Sequence, residues 1–251
     1  MAAPLKGLFV TGTDTGVGKT EVAAALARLL VERGVSVKVR KPVESGCPER
    51  DGRLVPQDAS RLCLAARSHE PLDVICPYPL KAAISPERAA RLEDRAIALA
   101  DLERACLAGV GDGDFLLVEG AGGLLSPLAR DGLVADLAAR LRLPVLLVVA
   151  DRLGCLNHAL LSVEALAARG LTLAAVVLNR VDAAGPAVAH GIVPTATLAR
   201  PCAAEMDNAA DLARWLAQPV VCVPPSRQDE APWMELMPHL AALAQKLHIP
   251  R

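Results

Sequence analysis

Six short runs rich in apolar residues recur along the chain, at residues 5–11, 36–40, 115–118, 145–149, 174–178 and 220–223, each with a glycine, a proline or a polar residue within two positions of its end. The third, fourth and fifth lack any alternation of polar and apolar positions, as strands covered on both faces do. Between the runs, apolar residues fall at helical spacing over 20–33, where Gly34 ends the pattern, and over 157–169, 209–217 and 233–247. Strands alternating with helices make right-handed crossovers the economical connection. The expectation is an α/β fold, a mostly parallel sheet with helices on both faces. Residues 44–56, where Gly46, Pro48, Gly52 and Pro56 stand among charges, read as a mobile loop.

The first strand runs straight into Gly12-Thr13-Asp14-Thr15-Gly16-Val17-Gly18-Lys19-Thr20, and the first helix follows. A glycine-rich turn between strand and helix is the setting in which Gly-Lys-Thr means a phosphate-binding loop, which makes the fold P-loop NTPase-like (Rossmann-like). Glycines let backbone N–H groups converge on an oligophosphate, and the helix start adds its positive end. Lys19 would reach the β and γ phosphates, and Thr20 would set its hydroxyl on Mg²⁺. The spacing is a variant: five residues separate Gly12 from Gly18, and Thr13 stands where the usual first glycine falls.

Composition narrows the partners. The chain has 251 residues, enough for one large α/β domain, and one domain (1–251) is expected. Lys plus Arg number 27 against 28 Asp plus Glu, and aromatic residues are 2%, so neither a basic field nor stacking material invites nucleic acid. The longest apolar runs, such as 145–150, are far too short to span a bilayer, and residues 1–6 lack the layout of a secretory signal. A cytoplasmic protein without membrane or nucleic-acid partners is the expectation. Seven scattered cysteines read as reduced, mostly buried small hydrophobes.

In such a sheet, sites gather beyond the carboxyl ends of the strands. After the second strand comes Lys41-Pro42-Val43-Glu44-Ser45-Gly46, whose lysine could hold phosphates, meet a carboxylate or be plainly solvated. Asp58 opens a helical run, where an N-cap is the ordinary role. Glu119 follows the third strand and leads into Gly120-Ala121-Gly122-Gly123. Thr20, Asp58 and Glu119 together would offer Mg²⁺ hard oxygen ligands. After the fourth strand, Leu153-Gly154-Cys155-Leu156-Asn157-His158 is a glycine turn opening a helix, suited to a carboxylate. Cys155 has no activating base in the sequence and is read as a backbone N–H donor, His158 as a structural hydrogen-bonder. Asn179-Arg180-Val181-Asp182 is similar to the base-reading Asn-Lys-x-Asp of GTPases, and Asn179 can both donate and accept at a purine edge.

Four of these motifs, in this order between Gly7 and Asn179, give the chain a resemblance to dethiobiotin synthetase, an ATP-dependent ring-closing ligase family: the loop ending at Thr20, Lys41-Pro42-Val43-x-Ser45-Gly46, Val118 to Gly123, and Leu153 to Ala159. The resemblance implies closure of diaminopelargonate and CO₂ (bicarbonate) into a cyclic urea, with ATP as co-substrate and Mg²⁺ as cofactor. Carried over position by position, it makes Lys19 and Lys41 the catalytic cations and puts Thr15 and Ser45 at the reacting end of the substrate. It places ATP against Gly16, Val17, Gly18, Lys19, Thr20, Glu21, Asp58, Glu119, Gly120, Ala121, Gly122, Asn179, Arg180 and Pro225, the cation on Thr20, Asp58 and Glu119. The substrate carboxylate falls to Gly154, Cys155 and Asn157 of a partner subunit, which implies a homodimer with its sites at the interface. The run Val221-Cys222-Val223-Pro224-Pro225 has cysteine where the family has glycine, and Gly16 stands where some members have glutamate. Two other readings share the loop: an amide-forming ligase of cobalamin synthesis, which usually carries a glutaminase domain, and a partition-type ATPase, whose signature lysine is here Asp14.

Overall fold

Along the first strand, β1 (Gly7–Gly12), Leu8 and Val10 enter one apolar core while Phe9 enters another. The same division sends Leu117, Leu146 and Val148 to the first core and Leu116, Val118, Val145, Leu147 and Val149 to the second. Neither face of these central strands meets water, so burial on both sides dictates their apolar runs. Each fully buried Val or Leu contributes about 1.5–3 kcal/mol.

The computed structural model describes residues 5–180, 207–225, 231 and 233–246. After β1 come α1 (Lys19–Glu32) and β2 (Val37–Arg40). Short elements follow: β3 (Val43–Ser45), β4 (Glu49–Arg50), β5 (Arg53–Leu54), α2 (Gln57–Ala65), α3 (Leu72–Ile75), β6 (Tyr78–Leu80), α4 (Pro86–Leu92) and α5 (Leu99–Leu107). The chain returns to the sheet with β7 (Phe115–Gly123), makes the small hairpin β8 (Pro127–Ala129) and β9 (Gly132–Leu133), and continues through α6 (Val134–Leu141), β10 (Val145–Ala150), α7 (Cys155–Ala167) and β11 (Leu173–Asn179). Beyond residue 206 lie α8 (Asn208–Ala213), β12 (Val220–Val223) and α9 (Trp233–Lys246).

Among the described residues six strands form one parallel sheet in the order β12-β11-β10-β1-β7-β2. The chain leaves β1 toward one edge and later crosses to the other, so the order reverses around β1. A crevice opens beyond the strand ends at such a reversal. The glycine loop therefore lies at the switch point. Gly18, in the left-handed region at φ 87°, starts α1 without a side-chain cap, which leaves first-turn N–H groups for an anion.

Three expectations change. Residues 44–56 are not an irregular loop: β3 pairs in parallel with β6, and β4 and β5 form a hairpin. Glu119 does not stand after a strand but inside one, because β7 keeps pairing past it, with Val10 opposite Glu119 and Gly12 opposite Gly123. Asp58 is not the N-cap of α2, since Pro56 holds that position and Asp58 follows two residues later. The helix expected over 157–169 starts at Cys155, and the one over 209–217 ends at Ala213. Val181, Asp182 and Leu247 lie outside the described residues.

Beside the site, the fully buried Arg40 fixes the end of β2. Its guanidinium donates to both Glu70 oxygens at 2.9 and 3.0 Å and to the Val39 and Ala108 carbonyls. Burial works against charge on Glu70, but hydrogen bonds and charge from Arg40, with help from Lys38, hold its carboxyl below the usual range. Glu70→Gln leaves a buried cation without its counter-charge, and we expect it to lower unfolding free energy by about 2–4 kcal/mol in urea titrations at pH 7. A depressed folded pKa stabilises above the unfolded value of about 4.3 and stops doing so as pH falls through the folded one. The gap between wild type and Glu70→Gln therefore closes below about pH 4.

Candidate active site

The crevice beyond the strand ends is a cleft of about 800 Å³. Its floor is the glycine loop, and Thr15, Gly16, Gly18, Lys19, Thr20 and Glu21 all line it. Lys41 enters from the end of β2, Ser45 from β3 and Asp58 from the first turn of α2. Glu119, Ala121 and Gly122 come from β7, while Asn179, Arg180 and Pro225 close the far end. Val17 and Gly120 are buried and do not line the cleft.

A compact charge cluster forms at its centre. Lys41 Nζ donates to Glu119 Oε1 at 2.5 Å and to the Gly120 carbonyl at 3.2 Å, and lies 3.1 Å from Asp58 Oδ2. The hydroxyl of Thr20 donates to the same Glu119 oxygen at 2.9 Å. Burial opposes charge on Lys41, but Glu119 and Asp58 outweigh it and hold the amine firmly as an ammonium. Burial lifts the Asp58 carboxyl, but Lys41, with Thr20 and Arg61, outweighs it and holds the group below the usual carboxylate range. Glu119, 1% exposed, is pushed up by burial against the pull of Lys41. Lys19 goes the other way: burial, then repulsion from Lys41, lowers it to about 8. Its ammonium donates to the Asp14 carbonyl at 2.8 Å, folding back over the loop.

Glu119 Oε2 is buried and accepts no hydrogen bond among the described residues. Among those residues no three His, Cys, Asp or Glu side chains gather to hold a metal unaided. Two carboxylates and one hydroxyl, with a buried oxygen to spare, still suit a hard cation whose shell is completed by phosphate oxygens and water.

Asn179 adds a link that the sequence does not announce. Its Nδ2 donates to the Val17 carbonyl at 3.0 Å, so the amide braces the phosphate loop from the end of β11. Asp151, at the end of β10, accepts from Arg180 Nε at 3.3 Å and from Asn208 Nδ2 at 2.7 Å.

Gly154, Cys155 and Asn157 do not line this cleft. Gly154 caps α7 at φ 88°, and the Cys155 N–H donates to the Arg152 carbonyl at 3.0 Å. Within a single chain that donor is engaged inside its own turn. Burial pushes the Cys155 thiol up, away from the thiolate form that a nucleophile uses. Sequence reasoning missed Glu44, Arg61 and the Ile84-Ser85-Pro86 wall of the cleft. Arg61, one turn after Asp58 on the same helix face, was readable from spacing; nothing local marks the others.

A family described as AAA domain matches residues 6–198. The ATP-dependent dethiobiotin synthetase of Ruthia magnifica subsp. Calyptogena magnifica is 44% identical over 178 residues, 71% of this chain and 81% of that protein. That of Anaeromyxobacter dehalogenans (strain 2CP-1) is 50% identical over 176 residues, 70% of this chain and 77% of that protein. Among solved structures, a ParA family ATPase from Chlorobium tepidum TLS aligns at TM-score 0.49 and 12% identity, over 96% of this chain and 97% of that one. Identity at the level of the two synthetases, across most of both chains, reaches well beyond what a shared phosphate loop produces, and the chain belongs to the family of ATP-dependent dethiobiotin synthetases, which are ATP-dependent ligases.

Proposed function

We propose that the chain is a single-domain, Mg²⁺-dependent synthetase that closes diaminopelargonate and CO₂ into dethiobiotin, converting ATP to ADP and phosphate. The observation that carries this reading is the meeting of Lys41 with Glu119 and Asp58 beside Thr20 and Lys19, in a cleft with room for a nucleotide and a second ligand.

One substrate amine adds to the carbon of CO₂ and releases a proton, leaving an anionic carbamate. A carbamate oxygen attacks the γ-phosphorus, and the bond to ADP breaks. The second amine then attacks the carbonyl carbon of this mixed anhydride and gives up a proton, phosphate leaves with the electrons of the broken C–O bond, and the ring is closed. Both partners of the phosphoryl transfer are anions, so alignment and charge neutralisation are what the protein must provide. Lys41 stays protonated at neutral pH and reaches the centre of the cleft, where it can hold the carbamate against the γ-phosphate. Lys19 is the second cation. Thr15 and Ser45 line the same space and offer hydroxyls to the reacting end. Thr20, Asp58 and Glu119 would hold Mg²⁺, which when bound neutralises phosphate charge.

The outer face of α7 supports a homodimer. The helix carries only His158 and Glu164 as titratable residues besides Cys155, leaves Leu161 more than half exposed, and follows Leu153, which is 77% exposed. Covering that face with a second copy would bring the Gly154–Asn157 turn toward the partner's cleft, where a substrate carboxylate can meet it. The cytoplasm, where ATP is available and the described cysteines stay free, is the fitting compartment. Among the described residues no helix is long and apolar enough to cross a membrane.

Incubating the protein with diaminopelargonate, bicarbonate and MgATP should yield dethiobiotin and ADP in equal amounts, followed by mass spectrometry. Folded protein that makes no dethiobiotin rejects the reading, and ATP turnover stimulated by DNA or vesicles but not by the diamine replaces it with a nucleotide switch.

A further inference from the structure

Helix α2 begins without a cap of its own. Pro56 occupies the N-cap position and has no side-chain oxygen, yet the second and third helical N–H groups need acceptors. Both find one in Glu44, 14 and 15 residues earlier on β3. Its Oε1 accepts from the Asp58 N–H and its Oε2 from the Ala59 N–H, each at 3.0 Å. Glu44 is 6% exposed and borders the cleft. The cap thus grips the backbone of the residue whose side chain meets Lys41 at 3.1 Å. The grip also brings two carboxylates close together, an electrostatic burden that packing alone does not require. A neutral cap, or a Ser or Asp at residue 56, would serve a purely structural helix start better.

We propose that Glu44 is a positioning residue: by holding the start of α2 from β3, it fixes the Asp58 carboxylate opposite Lys41 and Thr20, and it acts on the divalent-cation site only through Asp58. This rests on the nucleotide and cation reading above, not on the identity of the amine substrate. Because Lys41, Glu44 and Ser45 sit in one short stretch, the same β3 backbone that sets Ser45 in the cleft also sets the α2 wall. The two sides of the site are therefore in register.

Glu44→Gln keeps the shape but turns one acceptor into a donor facing an N–H. Calorimetry of ADP binding at varied Mg²⁺ is the readout, and it needs no turnover. The Mg²⁺ concentration giving half its maximal effect should rise about tenfold or more, the usual consequence of losing a group that orients a ligand, while ADP binding without Mg²⁺ stays the same. In an Asp58→Asn background, Glu44→Gln should shift it no further. Equal weakening of ADP binding with and without Mg²⁺, or effects that add in the double variant, overturns the proposal. If Glu44→Gln does not fold, hydrogen exchange on the wild type decides: the Asp58 and Ala59 amides should be protected like that of Ser60, and fast exchange at both overturns it. ADP binding that ignores Mg²⁺ in the wild type removes the cation reading and this proposal together. Normal Mg²⁺ coupling in a chain that makes no dethiobiotin leaves Glu44 in place and rejects only the reaction.

Discussion

Replacing Lys41 by alanine should lower kcat by about 10²–10³-fold, the range for losing one donor aimed at developing charge, while MgADP binding changes less than about threefold. The asymmetry follows from where the ammonium sits. Lys41 comes from the end of β2, across the cleft from the loop, and its partners are Glu119, Gly120 and Asp58 rather than loop amides. ADP lacks the γ-phosphoryl group, so what holds it is the loop. A carbamate and a γ-phosphate approaching each other need a cation between them, and only then is Lys41 decisive. Truncation also leaves Glu119 and Asp58 facing each other with no ammonium, so the variant should melt lower without divalent cation and recover when Mg²⁺ is added. Lys41→Arg should not restore activity, because the wider guanidinium does not fit a site built around a point charge. Single-turnover kinetics and ADP calorimetry check both halves. Near-normal kcat, or ADP binding lost in step with it, takes Lys41 out of the chemistry.

How much of this is legible in the sequence depends on how each feature is encoded. The strands are legible because two cores claim alternate residues: Phe9 on one side and Leu8 and Val10 on the other leave an unbroken apolar run that no loop would keep. The glycine loop is legible because its residues lie side by side and do their work with backbone. Residues 72–92 are not, since α3, β6 and α4 are three to seven residues long, too short for a period to be read. Glu119 is legible as an acid out of place among apolar neighbours. Its inclusion in β7 is not, because that depends on Gly12 and Gly123 pairing beyond it. Asn179 is named correctly as a site residue, yet its bond to the Val17 carbonyl spans 162 positions and has no local trace. The Glu44 cap is hidden in the same way, and Pro56 is the one hint that α2 borrows its acceptor from elsewhere.

Gly18→Ala should abolish tight nucleotide binding, raising the MgADP dissociation constant about 100-fold or more. Two effects compete to cause this, and the structure separates them. At φ 87° an alanine costs about 1–2 kcal/mol of backbone strain. A Cβ at that position would also come 1.9 Å from Asn179 Nδ2 and 3.1 Å from its Cγ, so the buried amide has to shift. Asn179 must leave the Val17 carbonyl, and the loop amides lose the brace that aims them at the phosphates. Forfeiting two charge-assisted hydrogen bonds at about 1.5–3 kcal/mol each accounts for the factor, at 1.4 kcal/mol per decade. Gly16 is the internal control. Its φ is 74°, similarly strained for alanine, but nothing lies within 4 Å of a Cβ there, so Gly16→Ala should change ADP binding only a few-fold. The double variant Gly18→Ala/Asn179→Ala removes the collision and keeps the strain, so it should bind ADP more tightly than Gly18→Ala alone. If the single Gly18→Ala variant binds MgADP like the wild type, or the double variant binds no better than the single, then the contact between β11 and the loop does not shape the phosphate site.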